Sequence, residues 1–118
     1  MIFKEKFEFA KYGEELKNSY IIVKLFDKAG SINYVREMQR YAEAFSGNSE
    51  DTEKVMKEAE ASIEFAYKTI QEQFVEGVFY NYETKLDEPM IAEDMTLLPP
   101  KVVGDIIMLI RGEIVKKN

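Results

Sequence analysis

The chain has 118 residues with 22 acids against 16 bases, a net charge of −6, and neither Cys nor His. Its length fits one domain over residues 1–118, and a hydrophobic fraction of 46% fits a folded chain rather than a disordered one. The composition excludes disulfides, thiolate chemistry and His-based metal or acid–base sites, and its acidic balance works against binding a phosphate backbone.

Met1-Ile2-Phe3-Lys4-Glu5-Lys6 lacks the long apolar core of a signal peptide. Ile106 to Ile110, the longest apolar stretch, is far too short to span a bilayer. The expectation is a soluble, cytoplasmic protein with no membrane partner.

Phe3, Glu5, Phe7 and Phe9 alternate with Lys4, Lys6 and Glu8, which is strand periodicity. Tyr20-Ile21-Ile22-Val23-Lys24-Leu25-Phe26 is β-branched and aromatic and reads as a second strand, apolar on both sides. The two are expected to pair antiparallel, with room for a short helix from Ala10 to Lys17.

Asp27-Lys28-Ala29-Gly30-Ser31 breaks the strand, and Ser31 is a candidate cap for a helix carrying Ile32, Val35, Met38, Ala42 and Phe45 on one face. Ser46-Gly47-Asn48-Ser49 should stop it, with Glu50, Asp51 and Glu53 in the first turn of the next helix. That helix keeps Val55, Ala59, Ile63, Ala66, Ile70 and Phe74 on one face. Met56, Ile63 and Ile70 also recur every seven residues, with Ala59 and Ala66 as small partners; packing in a helix hairpin is the expectation, and Gly77 is expected to close the helix. Val78 to Tyr82 reads as a third strand, 83–96 as an ordered loop with a helical turn near Ile91, and about 100–116 as a last helix on Val103, Ile106, Ile107, Ile110 and Ile114. Pro100 suits its first turn.

The fold class is therefore α+β, a mostly helical single domain with three main helices and a small antiparallel sheet from the N-terminal strands plus residues 78–82. Catalytic, cofactor and metal sites are all read as none. Glu60 and Glu64 lie one turn apart but lack the His of di-metal helix sites, so a solvated face explains them. Asp87, Glu88, Glu93 and Asp94 could attract a hard cation, but their spacing matches no EF-hand loop and an exposed acidic loop is the simpler reading. Phe79, Tyr80 and Tyr82 could stack bases, but acids rather than a basic groove follow them, which disfavours nucleic acid. Gly104 and Gly112 inside a helix suggest close packing, fraying after Arg111, or the approach of a partner backbone.

What remains is an apolar block too rich for a small acidic monomer. Val78, Phe79, Tyr80, Tyr82, Leu97, Leu98, Val103, Ile107 and Ile110 are the candidate partner-binding residues. Self-association through the last helix or an open sheet edge is a second use for them.

Phe74-Val75-Glu76-Gly77-Val78-Phe79, then Met95-Thr96-Leu97-Leu98-Pro99-Pro100-Lys101-Val102-Val103, then Ile106, Ile107 and Ile110, resemble the last third of the tail assembly chaperones of long-tailed bacteriophages. That family often ends with an aromatic or apolar strand, a polar turn and a Leu-Pro element opening an amphipathic helix. Its frequent Trp in the aromatic segment is missing here. The resemblance implies a non-enzymatic factor that binds the apolar, helical tape measure protein in the host cytoplasm before the tail tube polymerises. It also implies a longer form made by ribosomal frameshifting, with which Lys116-Lys117-Asn118 is compatible. The alternatives are an oligomeric structural or adaptor protein of viral or cellular origin, and a carboxylate-based metal binder.

Overall fold

Alternation at the N-terminus becomes strand β1, Lys4–Glu8, and the β-branched run becomes β2, Tyr20–Lys24. The computed structural model describes residues 1–46 and 52–113. The two strands pair antiparallel, Lys6 opposite Ile22 and Phe7 opposite Ile21. Between them the chain makes two 3-10 turns, Ala10–Tyr12 and Glu14–Leu16, in place of one short helix. Two further strands, β3 (Phe74–Asn81) and β4 (Leu86–Met90), complete an antiparallel sheet in the order β1-β2-β3-β4. With three main helices the architecture is α+β.

The third strand begins four residues earlier than its aromatic run suggests, directly after a helix and without a loop. Gly77 therefore does not close that helix. It lies inside β3, where a Cβ would stand 2.7 Å from Ile21 Cγ2 and 2.8 Å from the Tyr20 carbonyl oxygen. Any side chain there would push β3 off β2. β4 falls in the segment expected to be a loop, because Asp87, Glu88 and Pro89 are poor strand formers. Pairing with β3 and an edge position make it a strand regardless. The Asn81 carboxamide oxygen accepts from Glu83 N–H at 2.8 Å and Thr84 N–H at 3.3 Å, and Lys85 turns at φ 61°, which closes this hairpin. Tyr82 thus belongs to the turn.

Helix α1 spans Lys28–Ser46, and its cap is Asp27 rather than Ser31: Asp27 Oδ1 accepts the Gly30 N–H at 2.8 Å. The inward face is Tyr34, Met38 and Tyr41, while Ile32, Val35 and Ala42 are exposed. Aromatic area decides this, since Tyr34 and Tyr41 both pack on Phe65, at 5.8 and 6.0 Å between ring centroids. The expected stop and restart at 47–51 lie outside the described residues, as does Ile114, and nothing is assigned to the Phe45 side chain.

Helix α2 spans Thr52–Gln73, and a 3-10 segment, Ala92–Leu97, leads through the extended Pro99 into α3, Pro100–Ile110. Pro100 opens α3 as its chemistry suggests. The helix ends at Ile110, not near 116. Gly112 at φ 80° donates to the Leu109 carbonyl and Glu113 N–H to the Met108 carbonyl, the paired bonds of a Schellman stop. Gly104 is exposed and an added Cβ there would meet nothing within 4 Å, so close packing does not explain it.

One face of the sheet is sealed by Phe7, Phe9, Ile21 and Val23 against Ile70 of α2, Met95, and Val103, Ile106 and Ile110 of α3. Phe9 meets Phe7 and Phe79 edge-on, at 5.3 and 5.1 Å. The opposite face carries the alternate residues, Lys4, Lys6 and Glu8 on β1, Tyr20, Ile22 and Lys24 on β2, Glu76 and Val78 on β3; all are exposed or half-buried.

Candidate interaction surface

Four of the nine predicted partner-binding residues serve the core. Leu98, Val103, Ile107 and Ile110 are buried within the subunit, so a partner cannot reach them while the chain is folded. Phe79 is half-buried against Phe9 and belongs with them. The apolar stripe of α3 is what closes the sheet, and a domain this small has no second layer to do it. Val78 and Tyr80 are half-buried on β3, and Tyr80 meets Tyr82 edge-on at 5.0 Å. Tyr82 and Leu97 are the accessible pair, 59% and 81% exposed.

A different apolar surface emerges on α2. The seven-residue series Met56, Ile63 and Ile70 lies along one helix face, offset from the Phe65 face that meets α1. At the C-terminal end of that face Ile70 is fully buried and Ala66 packs on the core, while the nearby Tyr67 hydroxyl donates to the Leu98 carbonyl. Towards the N-terminus the body stops and the stripe continues. Ile63 is 50% exposed and Met56 58%, with Val55 and Ala59 half-buried beside them. The stripe was legible in the sequence, but as hairpin packing. What the sequence could not show is that the hairpin seam uses other residues, leaving half the stripe without cover.

Charge flanks this stripe. Glu60 and Glu64 are exposed on one side, and Glu53 lies 3.9 Å from Lys57. On α1, Ile32 and Val35 form a second exposed patch, a shallow groove with Ser31, Arg36 and Gln39.

The acidic loop candidates do not converge. Asp87 and Glu88 point to opposite faces of β4, Glu88 accepts the Asn81 carboxamide at 2.6 Å, and Asp94 accepts the Ile91 N–H at 2.8 Å as a cap. Among the described residues no group of three or more His, Cys, Asp or Glu is placed to hold a metal ion. None of the described helices is long and apolar enough to cross a membrane. A cleft of about 460 Å³ lies where Phe3, Phe26 and Tyr34 meet Lys68, Glu72 and Gln73; its charges are of both signs, and Lys68 and Glu72 pair with each other at 3.9 Å.

One polar cluster is tightly built. The Tyr12 hydroxyl donates to Asp105 Oδ2 at 2.5 Å and Lys11 Nζ stands 3.3 Å from the same oxygen. Burial and the Asp105 hydrogen bond push the Tyr12 phenol well above its usual range. The Tyr12 hydrogen bond in turn holds the Asp105 carboxyl below the usual carboxylate range, with Lys11 adding to the effect. The cluster fastens the turn after β1 to α3.

No protein-family model, curated protein or solved structure matches the chain.

Proposed function

We propose that the chain is a non-enzymatic protein-binding factor of the kind represented by phage tail assembly chaperones, and that it holds an amphipathic helix of the tape measure protein on α2. The observation that carries this reading is the run-off of the α2 stripe: a continuous apolar face whose lower half builds the core and whose upper half, at Met56 and Ile63, meets solvent. An apolar helix face of this kind accepts a partner helix at i, i+3, i+4 and i+7 anchors. The net charge of −6 would keep the complex dispersed.

Co-expression with a helical segment of the tape measure protein from the same genome tests it. The wild-type chain is expected to keep the segment in the soluble fraction, and Met56→Lys with Ile63→Lys to leave it aggregating while the variant itself stays folded. Equal protection by both proteins would contradict this use of α2.

A further inference from the structure

We propose that the open face of the sheet is a homodimer surface in which Lys6 of each copy pairs with Glu76 of the other. The strand register places Lys6, Ile22 and Glu76 in one row across β1, β2 and β3. The row reads positive, apolar, negative, with the two charges one strand to either side of Ile22, about 4.8 Å each way. A twofold axis running along β2 brings Ile22 against Ile22 and superposes Lys6 of one copy on Glu76 of the other, twice. It also sets Lys24 against Lys24 at the end of β2, a like-charge contact that works against the pairing.

Face-to-face sheets stand about 10 Å apart, a gap that opposed Lys and Glu side chains span. They also cross at about −30°, which moves outer rows apart but leaves a row on the axis in register. Lys6 is held over the Tyr20 ring, 4.6 Å from its centroid, so its position on this face is already restricted. Glu8, in the next row opposite Tyr20, stands 3.9 Å from Lys6 Nζ, an exposed ion pair that the contact with Glu76 of the other copy has to share or replace.

The sheet edges are poorer candidates. β1 is charged at four of its five positions and β4 carries Asp87, Glu88 and Pro89, the features that blunt edge pairing. The face of four short strands covers roughly 300 Å², well under the ~800 Å² per partner of a tight complex. The dimer is therefore weak and concentration-dependent.

Sedimentation equilibrium from about 10 μM to about 1 mM, at low and high salt, tests the proposal. Wild type is expected to dimerise and to lose affinity as salt rises. Lys6→Glu and Glu76→Lys alone are each expected to weaken it by about tenfold or more, because each creates two like-charge pairs per dimer. An equimolar mixture of these two variants should dimerise again, since both crossed pairs are then opposite in sign. The double variant K6E/E76K should dimerise by itself, which guards against a single variant that folds poorly. A wild type that stays monomeric throughout, variants that dimerise as well as wild type, or a mixture that does not recover would each overturn it. Loss of the dimer on Ile63→Lys would do so as well, by moving the interface to α2.

Discussion

Tyr12 and Asp105 show how much a single contact between distant segments can hold. Their hydrogen bond joins the turn after β1 to α3 across 93 positions of sequence. Removing the hydroxyl with Tyr12→Phe is expected to cost about 1.5–3 kcal/mol, the range for a bond to a charged acceptor. The pH dependence follows from the two directions. The Asp105 pKa is lowered by folding, so its contribution is present above the ordinary carboxylate pKa of 3.8 and is lost as pH falls through the folded value. The Tyr12 pKa is raised, so its contribution is complete below 10.0 and is lost as pH rises towards the folded value. Urea unfolding followed from pH 3 to 11 should show the wild-type advantage over Tyr12→Phe broadest near neutrality and smaller at both ends. A constant difference across the whole range would mean the phenol packs rather than bonds.

At the level of elements, the strands and helices were largely legible because their periodicity is local. The pairs β1–β2 and the three helices follow from alternation and from apolar residues three and four apart. β4 was not legible, since its residues become a strand only by pairing with β3. The inward face of α1 was misread because Tyr34 and Tyr41 bring more buried area than Ile32 and Val35, a choice that depends on Phe65 of another helix. The same limit applied to the candidate site. Apolar richness in α3 signalled importance, but nothing in one sequence separates a face that closes a core from one that meets a partner. Gly104 offers a test at this scale. Gly104→Ala adds a methyl to open space in the middle of α3 and should raise stability by about 0.5–1 kcal/mol, read from the midpoint of urea unfolding. If the same change weakened partner binding, α3 would regain a place in the interface.

As a whole the molecule is extended. Its radius of gyration is 16.1 Å with axes of 49 × 36 × 28 Å, against about 13–14 Å for a compact chain of this length. Buried residues of α2 are confined to Thr69 and Ile70 near its end, so the hairpin of α1 and α2 stands out from the sheet with apolar residues along it. Sheet face and hairpin are thus separate surfaces, one carrying the Lys6–Ile22–Glu76 row and one the exposed stripe of α2, so a dimer through the sheet face would leave the stripe open. Hydrogen–deuterium exchange with and without a tape measure helical segment tests the central claim most directly. The account predicts slowed exchange in residues 52–66 of α2 when the segment is added. Protection confined to residues 97–110, or no protection anywhere at a saturating concentration, would contradict it.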